Sequence, residues 1–364
     1  MKKLRLVLFD QEIEYIELFA NYIRSSDYAQ RFDVKLFSQE EHFQQYINNG
    51  EPTDILLVSN DQSIQEYPQI ESILYLVEGM VDESDVGQLF KYQPLSQLLS
   101  NVLTYHYERN GKREKKKIQK TDGETKIISV FSATGGTGKT TTAFHLAKQM
   151  KEEGLEVFYL NLELVNSIAL LFDVEDKPSS SPLLYYLKTN ADQLQSKLKD
   201  LIVVDRDTSV PFFYFHPSAE EMLDLSEQEI NLLLDTLTQL ETYHYIVIDL
   251  ESALDPIELA ALKKSDQVLW LLSNDMYSFH KTSYLLEELH GLLNDGAFSD
   301  RVQLVLNRYT GMIDPKLADS GIEIDGYLPY IPEWKQLITK EQLENPVFSE
   351  YVDKLIRSFS RVGV

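Results

Sequence analysis

The chain has 364 residues, no cysteine and a formal charge of −24 at pH 7. That length allows two domains of ordinary size, and an apolar content of 43% is enough for real cores. The missing thiols exclude disulfides and thiolate metal sites and suit a cytoplasmic protein, the strongly acidic balance makes a nucleic-acid-gripping surface unlikely on charge grounds, and no run approaches the about 18 uncharged apolar residues of a membrane span. Met1-Lys2-Lys3 leads straight into a short strand-like run, which is not the pattern of a signal peptide. Histidine is sparse and scattered, so no zinc constellation appears.

The first region, 1–106, alternates strands and helices. Leu4–Phe9 reads as a strand, and Glu12–Ile23 as a helix with Ile13, Ile16, Phe19, Ala20 and Ile23 at helical spacing. Phe32–Phe37 is a strand, Glu40–Ile47 a helix and Asp54–Val58 a strand. Ile73–Val77 and Leu89–Tyr92 are weaker strands, and Leu95–Tyr107 closes the region as a helix. Units of this size predict a doubly wound, flavodoxin-like sheet.

This order resembles a response-regulator receiver domain. The residues that carry the likeness are Leu8-Phe9-Asp10, Asp54 to Ser59, and Lys91-Tyr92-Gln93-Pro94. Receivers use an acidic pair, a phospho-accepting aspartate and a lysine to hold Mg²⁺ and a phosphoryl group. Here the second acidic position reads as Gln11, and the acceptor position as Ser59, or Asn60 if the register slips. A site without its nucleophilic carboxylate cannot accept phosphate by the usual route. The resemblance therefore implies a pseudo-receiver used for docking or dimerisation.

Residues 107–126 carry 8 basic groups against 4 acidic ones, with almost no apolar residue, between two acidic regions. The stretch reads as a linker. Attraction to an anionic membrane or to DNA is the functional alternative to a solvated tether.

The second region, 127–364, opens with the apolar strand Ile127–Phe131 and then Ser132-Ala-Thr-Gly-Gly-Thr-Gly-Lys-Thr-Thr141. Thr142–Met150 follows as a helix with Ala143, Leu146, Ala147 and Met150 on one face. Strand, glycine loop and helix aim backbone N–H groups and a helix N-terminus at a phosphate chain. Glycines alone would make only a turn, but Gly-Lys-Thr-Thr in this context points to a nucleotide. Gly135, Gly136, Thr137, Gly138, Lys139, Thr140 and Thr141 are the candidate binding residues. Lys139 would reach the terminal phosphates and Thr140 would ligate Mg²⁺. Ala133 stands where the general phosphate-loop pattern has its first glycine.

Val157–Leu160 reads as a strand that ends at Asn161-Leu162-Glu163. Ser181–Thr189 and Ala191–Lys199 look helical, Leu201–Val204 and Phe212–Phe215 are short strands, and Gln228–Glu241 is an amphipathic helix. Tyr245–Asp249 is a buried strand with a terminal acid, and Asp249 is the second candidate Mg²⁺ ligand. Gln267–Leu272, Val302–Leu306 and Gly326–Leu328 continue a mostly parallel sheet with helices on both faces. Phe348–Arg361 reads as a final helix whose apolar side (Tyr351, Val352, Leu355, Ile356, Phe359) suits either core packing or a membrane interface. Most of the 21 tyrosines, Tyr15, Tyr245 and Tyr284 among them, fall at apolar positions and read as packing residues.

The second region resembles the MinD/ParA class of P-loop ATPases. The likeness rests on Gly135 to Thr141, Asn161-Leu162-Glu163, Tyr245 to Asp249, Val305-Leu306-Asn307-Arg308 and Tyr327-Leu328-Pro329-Tyr330. It implies ATP and Mg²⁺ as cofactors, Asn307 with Arg308 as an adenine-recognition element, and a homodimer. Two departures matter. The family has a signature lysine before the glycine pair where this chain has Thr134, and an Asp-x-Asp where this chain has Asn161 and Glu163. Glu163, with Lys139, remains the catalytic candidate, positioning the attacking water. A displacement on the order of an angstrom there costs roughly 10²-fold in rate. ATP binding is therefore expected with weak or no hydrolysis.

A receiver-like domain followed by a MinD/ParA-like domain, both altered at their signatures, resembles the TadZ/CpaE family. That likeness implies a factor that positions a type IVb (Flp/Tad) pilus secretion machine. Its partners would be pilus and secretion proteins, at the inner face of the plasma membrane or a cell pole. Two other readings stay open: a silent scaffold with a vestigial nucleotide site, and a DNA-partition ATPase, which the acidic balance weakens.

Overall fold

A computed structural model describes residues 3–59, 68–79, 87–111, 124–189, 191–215, 219–313, 317 and 321–359. Asn60, Arg361 and most of the basic stretch expected as a linker (112–123) lie outside the described residues. The chain divides into two compact units. One comprises Met1–Lys116 with Thr310–Met312 and Asn345–Glu350, and the other Lys117–Tyr309, Ile313–Glu344 and Tyr351–Val364.

The first unit runs β1 (Leu4–Phe9), α1 (Ile13–Ser25), β2 (Phe32–Phe37), α2 (Glu40–Asn48), β3 (Thr53–Ser59), β4 (Ile70–Val77), β5 (Gln88–Phe90) and α3 (Leu95–Gly111). The described strands form one parallel sheet in the order β2-β1-β3-β4-β5, the flavodoxin-like order. In β3, Thr53 to Val58 are all buried, because helices cover both faces of a parallel sheet. On one face Val7, Phe9, Leu56 and Val58 pack against Phe43 and Ile47, with Phe9 stacked on Phe43 at 4.4 Å. β4 is a full strand of 8 residues and not a weak one. The closing helix continues past Tyr107 to Gly111, since its polar tail has no helix breaker before that glycine.

The second unit runs β6 (Lys126–Phe131), α4 (Lys139–Glu152), β7 (Val157–Asn161), α5 (Ile168–Leu171), α6 (Pro182–Thr189), α7 (Ala191–Leu201), β8 (Val203–Val204), β9 (Pro211–Phe212), α8 (Ala219–Leu223), α9 (Glu227–Thr238), β10 (Tyr245–Asp249), α10 (Pro256–Lys264), β11 (Gln267–Leu272), α11 (Met276–Leu293), β12 (Val302–Tyr309), β13 (Gly326–Pro329) and α12 (Pro346–Phe359). Its sheet has the order β13-β12-β11-β6-β10-β7-β9-β8. The described pairings are parallel except β8 with β9. The expected strand Phe212–Phe215 contracts to two residues at the sheet edge, and Phe213 and Phe215 enter the core beyond it.

Helices α10 and α11 were not anticipated from periodicity, yet both carry explicit start signals. Asp255 and Glu258 form a reciprocal capping box with Pro256 in the first turn. Asp275 accepts hydrogen bonds from the backbone N–H groups of Tyr277 and Ser278, each at 3.0 Å. Trp270, fully buried at the sheet centre, meets Phe131 edge-on at 4.8 Å and donates to Thr282 at 3.1 Å. Tyr15 and Tyr245 are buried as expected, but Tyr284 is 63% exposed and does not pack in the core.

The apolar side of α12 is packed inside the protein: Tyr351, Val352, Leu355, Ile356 and Phe359 are all buried. Gly326 lies so near Leu355 that a Cβ there would sit 2.8 Å from it, and Ser358 accepts from Gln303 at 3.0 Å. Core packing, and not a membrane interface, occupies this face. No helix among the described residues is long and apolar enough to cross a membrane. Truncating Leu355 to Ala is expected to cost about 2–5 kcal/mol of unfolding free energy in urea titrations; a loss below about 1 kcal/mol would contradict this packing.

Candidate nucleotide-binding site

The carboxyl ends of β6, β10 and β7 lie side by side, with Asp249 opposite Val130 on one neighbour and Asn161 on the other. Loops leaving this edge of a parallel sheet form the crevice where such folds take ligands. The loop 132–138 leaves β6 here, and α4 begins at Lys139, one turn earlier than periodicity suggests. Lys139 and Thr140 thus stand in the first helical turn, where free N–H groups and the helix dipole favour an anion. Gly136 and Gly138 have φ of +72° and +92°, which glycine adopts without a Cβ clash. Gly135 is exposed with open space at its Cβ position. Thr137 is buried, and Thr141 half-buried.

Asn307, at the end of β12, is brought onto this loop. Its side-chain N–H donates to the Thr137 carbonyl at 2.7 Å, and a Cβ on Gly138 would collide with the same amide. Asn307 is therefore a brace of the loop in this structure. Arg308 is exposed, with φ of +54°, and its backbone N–H donates to the Asn307 side-chain Oδ1 at 2.7 Å.

The acidic side of the site is one connected network. The Asp249 Oδ2 accepts from the Tyr159 hydroxyl at 3.0 Å and from the Asn161 amide at 3.0 Å. The same amide donates to Glu163 Oε2 at 3.1 Å, and Asn161 Oδ1 accepts from the Glu163 backbone N–H at 3.0 Å. Thr140 donates to Glu163 Oε1 at 3.2 Å. Asp249 is fully buried, and its Oδ1 takes no hydrogen bond. Burial first, then the neighbouring Glu163 carboxylate, push the Asp249 carboxyl up to about 8; the Tyr159 hydroxyl and the Lys139 charge pull the other way.

An orphaned buried carboxylate oxygen beside a hydroxyl and a second carboxylate is a hard-oxygen donor set that fits Mg²⁺. Thr140 and Asp249 would hold the ion, with Glu163 next to it. Among the described residues no group of three or more Asp, Glu, His or Cys could hold a metal without help.

On the other side of the loop the Lys139 ammonium donates to Ser252 Oγ at 2.7 Å, and the Ser252 hydroxyl donates to the Thr134 carbonyl at 2.9 Å. Thr134 itself turns inward, its hydroxyl 3.4 Å from Ser278 Oγ at the start of α11. Tyr159, Ser252 and Ser278 were missed by sequence reasoning. A tyrosine inside an apolar strand and serines in strand-exit loops carry no spacing signal of their own.

In the first unit the residues expected at the receiver-like position do come together, with one change. Lys91, 3% exposed, bridges Asp10 at 2.9 Å and Glu12 at 2.8 Å. Glu12, and not Gln11, is the second residue that meets Lys91. The Ser59 hydroxyl donates to Asp10. The Lys91 ammonium lies over the Tyr15 ring at 4.8 Å.

Residues 125–296 match the family model described as AAA domain. An uncharacterized ATP-binding protein of Methanocaldococcus jannaschii is 27% identical over 154 residues, 42% of this chain and 54% of that protein. The maintenance of carboxysome distribution protein A of Gloeothece citriformis is 26% identical over 184 residues, 49% of this chain and 68% of that protein. The chain spans about half the length of the first curated relatives it matches. A ParA family ATPase from Chlorobium tepidum superposes with a TM-score of 0.52 at 16% identity, covering 64% of this chain and 97% of that one. The second unit is a P-loop α/β domain. Its fold is that of the ParA family ATPases.

The raised Asp249 carboxyl gives a signed pH dependence. An acid whose folded pKa lies above its unfolded value stabilises the fold fully below about pH 4 and loses that contribution as pH rises through about 8. Asp249→Asn keeps an acceptor for Tyr159 and Asn161 and removes the loss. In nucleotide-free, Mg²⁺-free buffer the variant should gain stability over the wild type from pH 5 to pH 8, measured by urea unfolding. An unchanging difference would contradict the assignment.

Proposed function

We propose that the chain is an ATP–Mg²⁺-binding protein of the MinD/ParA type that positions or helps assemble a type IVb (Flp/Tad) pilus secretion machine, with weak or absent hydrolysis. The observation that carries the reading is the state of the loop. Elements that suit nucleotide binding are present: Gly136 and Gly138 in left-handed backbone, Lys139 at the helix start, and a buried Asp249 oxygen lacking a partner. Its hydrolytic half is altered, with the Thr134 hydroxyl turned toward Ser278 where the resemblance expects a lysine reaching a partner's nucleotide. A hydroxyl cannot supply that charge. Such a site suits a slow positional switch more than a motor.

The first unit supports the pilus reading over a general partition role. Its flavodoxin-like strand order, with the Ser59 hydroxyl donating to Asp10, is what a receiver-like half of the TadZ/CpaE pairing would have. It would serve as a docking or dimerisation module. The relative named for carboxysome distribution makes a positioning role reasonable for a domain of this type. A homodimer forming around ATP, recruited to the membrane or pole by pilus proteins, is the working assembly.

Lys139→Ala is expected to abolish ATP–Mg²⁺ binding in calorimetry; equal binding by both proteins, or by neither, would refute the nucleotide reading. Phosphate release by the purified wild type should fall below the roughly 1 s⁻¹ lower bound of ordinary enzyme turnover, and a robust rate from the protein alone would contradict it. Adjacent secretion-ATPase and pilin genes would support the pilus assignment, and a DNA gel shift at low salt would favour partition instead.

A further inference from the structure

Ser252 stands three residues beyond Asp249 and joins two things that nucleotide sites must coordinate: the phosphate-reaching lysine and the backbone of the loop. The Lys139 ammonium, on a side chain 8% exposed, donates to Ser252 Oγ at 2.7 Å, and that hydroxyl donates onward to the Thr134 carbonyl at 2.9 Å. Among the described residues Lys139 makes no salt bridge, and the acids on the other side of the loop, Asp249 and Glu163, hydrogen-bond to Tyr159, Asn161 and Thr140. We infer that Ser252 is a positioning residue that holds the Lys139 ammonium over the loop, ready for the β- and γ-phosphates of a nucleoside triphosphate, without neutralising it. This deepens the nucleotide reading above and rests on it.

The chemistry follows from the donor count. An ammonium has three N–H donors and no acceptor. One is spent on Ser252, so two stay available to phosphate oxygens, and the Ser252 bond need not break when the ligand arrives. A neutral hydroxyl is the right partner for this. A carboxylate at 252 would form a shielded ion pair with Lys139 and repel the incoming phosphates. The onward bond to Thr134 also fixes a loop carbonyl, so the lysine and the cradle are set by one side chain.

The test is titration of a fluorescent ATP analogue with Mg²⁺ into full-length wild type, Ser252→Ala, Ser252→Thr and Ser252→Asp, each checked for its thermal midpoint. Ser252→Ala should weaken binding about tenfold, in line with loss of a hydrogen bond to a charged group. Ser252→Thr should recover most of it. Ser252→Asp should bind at least about 100-fold more weakly while its thermal midpoint holds or rises, an outcome that a merely structural role would not give. Wild-type affinity in Ser252→Ala, or retained binding in Ser252→Asp, overturns the inference and leaves the nucleotide reading intact. No binding by the wild type sinks the nucleotide reading first. A second readout stands apart from nucleotide: acetylation of Lys139 by acetic anhydride, followed by mass spectrometry, should be faster in Ser252→Ala, and equal rates count against the inference.

Discussion

A carboxylate taken wholly out of water is costly unless donors or a cation meet it, and the second unit is organised around one such group. Asp249 ends the buried strand β10, and every element near it answers to its needs. β7 brings Tyr159 and Asn161 to one of its oxygens. The start of α4 brings Thr140 and Lys139 to the same corner. Asn161 does what an aspartate in its place could not: its amide donates to Asp249 and Glu163 at once, so the two acids are held side by side. What reads in the sequence as erosion of an Asp-x-Asp element becomes, in three dimensions, a device for keeping both remaining acids in place.

The first unit solves a related problem in the opposite way. Its acids, Asp10 and Glu12, are met by a cation from its own chain, Lys91, and the ring of Tyr15 lies against that cation. No buried atom of Asp10, Glu12 or Lys91 lacks a partner, whereas the cluster around Asp249 leaves one oxygen unmatched. The two clusters thus treat buried acids differently: one meets them with a cation of its own chain, and the other leaves an acid oxygen without a donor.

Much of this was legible. The alternation of apolar runs and helical stripes placed nearly every strand, and Gly135 to Thr141 announced the loop before any coordinates. What the sequence hid was of two kinds. Helices α10 and α11 lacked a clean apolar stripe, and their real signals were the caps at Asp255 and Asp275. The partners Tyr159, Ser252 and Ser278 reach the site only through strand pairing and sheet order, which no local spacing encodes. Glu12, itself exposed, reaches Lys91 across 79 residues of sequence, a contact that no local spacing encodes. Asn307 was read for a base contact, and it braces the loop from a strand 170 residues away in sequence.

That last bond reaches into how the protein is made. A ribosome delivers the glycine loop and its lysine early, but the amide that fixes the Thr137 carbonyl emerges only with β12. Until Val302–Tyr309 has been synthesised and has paired with β11, the cradle lacks its brace, and long-range pairing of this kind is slow. The bond that fixes the Thr137 carbonyl therefore closes only after most of the strands of its sheet have been synthesised.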